Sequence, residues 1–460
     1  MKADVVIIGA GPAGMAAAST VAQKGLAVLL LDDQIAPGGQ IYRGVERASE
    51  SDQTHLGSEY FHGKSLVEEV RATGVEYLSG ASVWQLSEEG EVAYSVGGRS
   101  TLVKPKKVIL ATGAMERPFP IAGWTLPGLM TGGAAQILLK TSGLAAEGAV
   151  FAGCGPLLYL VVHQYLQAGV KITALLDTAS GANRLPALKH LPAALSRFDL
   201  LAKGLKWKQA IRKSGTRIVD GVTELRVEGG DVAEGISFRQ GSGGWQTLTT
   251  SHIFLHQGVV PNVNLSMSAG VAHSWCEQQL CWRPEVDDFG ASDKPAIYVA
   301  GDGSGISGAL AAEASGRLAA LGVLADLGAI TPRARDEAAQ PFRRVRHREE
   351  QIRPFLDSWF KPSADLRQPS DQATLVCRCE EVRAEDLKSV IGLGLKGPNQ
   401  VKSYCRAGMG PCQGRFCGLT VQEMIATQSG LPHEQVGYYR LRPPIKPLPL
   451  NELADLTIEE

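Results

Sequence analysis

Apolar residues in this 460-residue chain gather in short unbroken runs rather than in strict alternation. Residues 4–8 (DVVII) and 26–31 (LAVLLL) are two such runs, and the segment 12–23 between them has a helical composition. That order predicts strand, helix, strand, with strands covered on both faces as in a parallel sheet. Residues 107–111 (KVILA) predict another strand. The pattern then begins again, with a strand at 149–152, a helix at 156–168 and a strand at 170–176. Residues 178–215 read as helical, broken at Pro186 and Pro192. Residues 216–255 read as strands joined by turns at Gly229-Gly230 and Gly243-Gly244. A last strand at 296–300 leads into an Ala-rich helix at 308–327. Residues 331–370, rich in Pro and Arg, read as a connector whose arginines form a solvated helix face. Four prolines (Pro443, Pro444, Pro447 and Pro449) predict an extended tail.

Composition sharpens this picture. The chain has 53 glycines, against roughly 32 expected from average usage. They are scattered, which suits backbone that must turn sharply or approach a ligand closely. Lys+Arg is 46 and Asp+Glu 47, for a formal net charge of -1, and this gives no support to nucleic-acid binding. The length argues for several domains. No run of 18 apolar residues predicts a transmembrane helix, and no secretory leader is recognisable. Eight cysteines are too few for a disulfide scaffold. Five of them (Cys377, Cys379, Cys405, Cys412 and Cys417) fall in one short segment, which favours metal ligation in a reducing, cytoplasmic setting.

Gly9-x-Gly11-x-x-Gly14 follows the first strand and opens the first helix, and Asp32 ends the second strand. In that frame the motif predicts dinucleotide binding. Gly9 allows the tight turn, Gly11 the approach of a pyrophosphate to backbone, and Gly14 close helix–strand packing. The pyrophosphate would rest on the helix N-terminus, at Pro12 and Ala13. Asp32, or its neighbour Asp33, would accept from a ribose hydroxyl. Gly153-Cys-Gly155 repeats the frame, with Asp177 ending the following strand, but Leu158 stands where the third glycine belongs and should push the helix outward. Its readings are an NAD site, a site for another ligand, or a domain kept for structure.

Cys377-x-Cys379 is followed after 32 residues by Cys412 and after four more by Cys417. Four cysteines suit a [2Fe–2S] cluster; structural zinc is the alternative, and usually shows C-x2–4-C knuckles. Gly408, Gly410, Gly414 and Gly418 would bring backbone N–H groups near the sulfurs. Cys405 is read as a non-ligand. Cys276 and Cys281 are read as ordinary buried thiols. No base or nucleophile motif is found, so no catalytic residue is assigned; His256, at a strand end, is read as a structural histidine in preference to a flavin contact.

The segments LATG (110–113) and IYVAGDG (297–303), together with the opening motif, resemble the pyridine nucleotide-disulfide oxidoreductase superfamily. The resemblance implies that both segments return to one FAD. It adds Ala111, Thr112, Gly113, Gly301 and Asp302, with Gly38, Gly39, Gln40, Arg43 and Val83, to its binding residues. The cysteine layout resembles the bacterioferritin-associated ferredoxin-like [2Fe–2S] domain, departing from its common closing C-x2-C. The whole chain resembles the larger (α or A) subunits of the heteromeric opine oxidase, D-hydroxyproline dehydrogenase and hydrogen cyanide synthase family. PGGQIYR (37–43), GWTLPG (123–128), HQGVVPN (256–262), CRCEEV (377–382) and GMGPCQGRFCG (408–418) carry that resemblance. It implies an α/β fold with two Rossmann-like dinucleotide-binding domains and a small helical [2Fe–2S] domain. Residues 1–120 and 256–330 would form the FAD-binding domain and 121–255 the second, degraded NAD-type domain. Residues 331–370 would connect these to the iron–sulfur domain at 371–435 and a tail at 436–460. The resemblance further implies an oxidoreductase acting on CH–NH donors as part of a hetero-oligomer. Amine oxidation would occur on a flavoprotein β subunit, and a downstream electron acceptor, in the cytoplasm or at the membrane, would take the electrons. D-hydroxyproline, opines and glycine are the candidate substrates; a self-sufficient NAD(P)H-dependent reductase and a zinc-bearing scaffold are the competing readings.

Overall fold

The structure is a computed structural model that describes residues 3–49 and 52–459. Five parallel strands make the first sheet, in the order Ile297–Val299, Lys107–Leu110, Val5–Ile8, Val28–Asp32, Glu76–Ser79. Every position of Val5–Ile8 and Val28–Asp32 is buried, which is why their sequences are continuously apolar. The edge strand Ile297–Val299 arrives from late in the chain, so the first unit is discontinuous. Helix Pro12–Ala22 packs on helix Ala309–Asp326 at backbone contact, because a Cβ on Gly316 would stand 2.0 Å from the Ala13 carbonyl oxygen. An antiparallel sheet (Ser82–Leu86, Val92–Val96, Arg99–Val103) adjoins this unit. Its edge is extended by Thr457–Glu459, so the far end of the tail is a strand.

The second sheet is also parallel, in the order Arg217–Asp220, Ile172–Asp177, Ala149–Cys154, Ile253–Gln257, Leu129–Thr131. Two Rossmann-type units therefore repeat one plan, each with a helix opening directly after its first strand. Leu158 is fully buried in the main core. At the equivalent position of the first unit, Gly14, a Cβ would stand 1.7 Å from the Gly9 oxygen, so the second unit leaves room for a side chain where the first has none.

The segment read as a connector is mostly ordered helix. Thr331 caps Pro332–Glu350 by accepting from the Ala334 N–H at 3.2 Å, and Arg353–Trp359 continues the path. Its arginines are not simply solvated. Arg343 bonds to Asp288 at 2.5 Å, Arg346 bonds to the same carboxylate, and Arg335 and Arg343 cover the Phe289 ring. The cysteine-rich segment forms a separate small unit: a hairpin (Leu375–Cys377, Val382–Arg383) and helices Ala384–Gly392, Pro398–Cys405 and Gly418–Ser429, with their own apolar core.

Candidate functional site

The first glycine loop forms a cradle in which a side chain would collide with backbone. A Cβ on Gly9 (φ +107°) would stand 2.3 Å from the Ala111 oxygen, and one on Gly14 would stand 1.7 Å from the Gly9 oxygen. Gly39 (φ +59°) approaches Gly11 so closely that its Cβ would lie 2.8 Å from the Gly11 Cα. Gly11 precedes a helix without any side-chain cap, which leaves its first N–H groups to a ligand. Asp32 accepts from the Gln34 N–H at 2.7 Å and from the Ala10 N–H, and burial raises its carboxyl above the usual range against those two donors. Asp302 accepts from the N–H groups of Ser307 (2.9 Å) and Gly308 (3.2 Å), which fixes the start of the following helix. Thr112 donates to the Asn262 carbonyl at 3.0 Å and so ties LATG to the VVPN segment.

These residues line one cleft of about 1370 Å³, with Pro12, Ala13, Asp33, Gln40, Arg43, Val83, Ala111, Gly113 and Gly301 also on its walls. Gly14 and Gly38 stand behind the wall as spacers, Gly38 against the Tyr42 carbonyl. Such a groove of glycine backbone, an uncapped helix end and a buried acid fits the diphosphate and ribose of a dinucleotide. Sequence reading missed Lys140. Its ammonium donates to the carbonyls of Gln40 (3.3 Å) and Ile41 (2.8 Å), pinning the PGGQIYR loop, and burial followed by the nearby Arg43 pulls its pKa down to about 7.

In the second loop Gly155, Pro156 and Leu157 line the same cleft, but Gly153 and Gly155 are packed against His256 of the strand Ile253–Gln257. Gly153 (φ +136°) is packed on the His256 backbone, and His256 Nε2 sits 3.0 Å from where a Gly155 Cβ would be. His256 Nδ1 and Glu116 Oε1 are 2.6 Å apart, and the other Glu116 oxygen accepts from the Gly133 N–H at 3.0 Å. Asp177 accepts from the Tyr159 hydroxyl and, at 2.8 Å, from the Ala179 N–H. It is buried away from the cleft, whereas Asp32 lines it. The segment 359–362 lies over this loop: the Cys154 thiol donates to the Phe360 carbonyl at 3.4 Å, and Asn183 donates to the carbonyls of Trp359 and Lys361.

The four cysteines fall into two thiol pairs, Cys377 beside Cys417 and Cys379 beside Cys412. Contact with the Cys417 thiol, then N–H donation from Gly408, Glu380 and Cys379, pulls Cys377 down to about 6. Gly410 permits backbone contact with Cys379, because a Cβ there would lie 2.3 Å from the Cys379 Cβ. Gly414 and Gly418, expected beside the sulfurs, instead make room for the Tyr439 and Tyr438 rings. Among the described residues, no group of three or more His, Cys, Asp or Glu is gathered to hold a metal ion. Cys405 stands apart, donating to the Val401 carbonyl at 3.4 Å.

The pyridine nucleotide-disulphide oxidoreductase family matches residues 3–156, and the sarcosine oxidase A3 domain matches residues 371–456. The A subunit of opine oxidase from Rhizobium meliloti is 42% identical over 98% of this chain and 87% of its own length. Its counterpart from Agrobacterium tumefaciens (strain Ach5) is 43% identical over 98% of this chain and 92% of its own. This chain belongs to the family of opine oxidase A subunits. Hydrogen cyanide synthase subunit HcnB of Pseudomonas aeruginosa is more distant, at 29% identity over the full length of both chains. L-proline dehydrogenase from P. horikoshii shares the fold, with a TM-score of 0.73 over 98% of this chain and 79% of its own at 20% identity.

Membership of this family implies FAD through the pyridine nucleotide-disulphide oxidoreductase part, and the first cradle has the groove for it. In this family member the cleft runs on from that cradle past Glu116, Arg117 and His256 to Cys412 and Arg415. Arg117 is buried there, with the carbonyls of Gln279 (2.8 Å) and Leu280 (2.9 Å) as its hydrogen-bond acceptors. Among the described residues no helix is long and apolar enough to cross a membrane.

Proposed function

We propose that this chain is the electron-transferring subunit of a heteromeric oxidoreductase that acts on CH–NH donors, with the amine oxidised on a separate flavoprotein subunit. The observation that carries this reading is the single cleft joining the FAD-type cradle to Cys412. FAD, when bound, supplies a two-electron acceptor that can pass electrons on singly. This chain's own residues would hold it: Gly9, Gly11 and Gly39 by backbone approach, the first turn that Pro12 opens by the free N–H groups that begin at Ala13, Asp32 at the ribose, and Lys140 by fixing the 37–43 loop. Cys377, Cys379, Cys412 and Cys417 would hold a [2Fe–2S] cluster. Their grouping as two thiol pairs supports this, since two irons take two ligands each while one ion needs all four within bonding distance. Opines, as secondary amines, are the favoured substrate class; D-hydroxyproline and, by way of the more distant HcnB relationship, glycine are the alternatives. In the second loop Asp177 is buried and taken by Tyr159 and His256 stands beside Gly155, which argues against an NAD(P)H-driven reductase. Eight free cysteines support a reducing, cytoplasmic compartment.

The test is purification of the chain alone and together with its partner. Alone it should carry FAD, iron and acid-labile sulfide yet oxidise no opine, and NADH alone should not bleach its flavin. With the partner, opine oxidation coupled to an artificial dye should appear. Robust amine turnover by the isolated chain, or rapid bleaching by NADH, would overturn the assignment.

A further inference from the structure

Cys276 and Cys281 end the two strands of a hairpin, His273–Cys276 and Cys281–Pro284, and are paired directly opposite each other in its register. Facing residues of an antiparallel pair have Cα atoms about 4.5–5.5 Å apart with side chains on one face. A disulfide needs about 4.4–6.8 Å. The two sulfurs are free and unequal: Cys276 is partly exposed, and Cys281 is buried. Arg117 and Arg283 flank the Cys281 thiol, and the Gln279 N–H donates to the Cys276 sulfur at 3.4 Å. Cys281 is buried as the sequence reading has it, whereas Cys276 is partly exposed.

The turn between them is part of the cleft. Gln278, Gln279 and Leu280 line it, and the Gln279 and Leu280 carbonyls hold Arg117. The Gln279 side chain bonds to the backbone of Ile306, close to Asp302, and to Asp357. The strands reach the cysteine-rich unit: Trp275 stacks on His433 at 4.4 Å, and Trp282 donates to Gln422 at 3.0 Å.

We propose that Cys276 and Cys281 form a redox-active dithiol that is oxidised to an intramolecular disulfide by small-molecule disulfides. The thiolate of the accessible Cys276 attacks one sulfur of the small disulfide, forms a mixed disulfide and expels one thiolate. Cys281 then gives up its proton and attacks the Cys276 sulfur, breaking the mixed bond and releasing the second thiolate. Two protein thiols are oxidised and one small disulfide is reduced to two thiols, so electrons balance with no other oxidant. Burial raises the Cys281 thiol to about 11, and the flanking Arg117 and Arg283 guanidiniums offset that only in part.

The test uses the purified full-length, flavin-bearing chain, with oxidised glutathione as the probe. After acid quenching and alkylation, the peptide that carries both cysteines should escape alkylation and be lighter by one hydrogen per cysteine; dithiothreitol should restore both alkylation sites. Cys281→Ser should stop at one glutathione on Cys276. Cys276→Ser should take up none at Cys281, because that thiol is buried. Retention of both alkylation sites in the wild-type chain, persistence of glutathione on its Cys276, or a disulfide from either residue to another cysteine would each overturn the proposal. Visible flavin absorbance of each variant, matched to wild type, establishes that it is folded.

Discussion

Glu116 and His256, 140 positions apart, meet at 2.6 Å between the two nucleotide loops. A carboxylate can only accept here, so the imidazole donates from Nδ1. The second Glu116 oxygen is also used, by the Gly133 N–H. Glu116→Ala leaves both donors without their acceptor on the wall of the cleft, so it should cost about 1–2 kcal/mol. Glu116→Gln keeps an acceptor and should cost less. Urea unfolding measures both. A midpoint for Glu116→Ala indistinguishable from wild type would show that the pair carries no stability.

The approach of Gly39 to Gly11 predicts a loss of cofactor rather than of fold. Gly39→Ala puts a Cβ 2.8 Å from the Gly11 Cα, and the 37–43 loop must move off the pyrophosphate groove. The variant should purify with little flavin, as read from its visible-to-ultraviolet absorbance ratio, while its far-ultraviolet circular dichroism is unchanged. Gly25→Ala is the control. Its φ is +78°, but nothing lies within 4 Å of the added carbon. It should lose about 1 kcal/mol through backbone strain and keep its flavin.

His273 should make stability fall in mild acid. Its Nδ1 bonds to the Val271 carbonyl at 2.7 Å and its Nε2 to the Ser266 hydroxyl at 2.9 Å, and burial pushes its pKa down from 6.5 to about 4. Between those values the unfolded chain binds a proton that the native histidine refuses. Stability therefore falls as pH drops from 6.5 towards 4. The contribution is about 1–3 kcal/mol, at about 1.4 kcal/mol per pH unit and with allowance for partial exposure. Melting temperatures of wild type and His273→Asn, compared at neutral and mildly acidic pH, isolate it. An equal drop in both would remove His273 as the cause.

What could be read in the sequence and what could not divide along a physical line. Strands such as Val5–Ile8 and Ala149–Cys154 were legible because sheets buried on both faces demand unbroken apolar runs. The first loop was legible because its glycines and Asp32 have fixed local spacing. Helix Pro332–Glu350 was legible only as a solvated helix face within a connector, since it is strongly polar, carries Pro341 internally, and gets its anchoring from Asp288 and Phe289 in a distant segment. The closing of Asp177 by Tyr159 and the meeting of Glu116 with His256 are contacts between elements, and no spacing rule encodes them. The hairpin register that sets Cys276 opposite Cys281 is likewise visible only once the strands are paired.

The two thiol pairs predict which cysteine can be lost. Cys412 is paired with Cys379 and faces the cleft, while Cys405 points back to the Val401 carbonyl of its own helix. If the four paired thiols hold a two-iron cluster, Cys412→Ser should abolish most bound iron and acid-labile sulfide. Cys405→Ser should keep both at the wild-type ratio, because serine replaces a weak thiol donor on a helix. Flavin content should be unaffected in either variant, since the cradle lies in a separate unit with its own core. Metal and sulfide analysis of the two proteins, purified under argon, decides the matter. Zinc without sulfide in the wild-type chain, or loss of iron from Cys405→Ser, would exclude this ligand set.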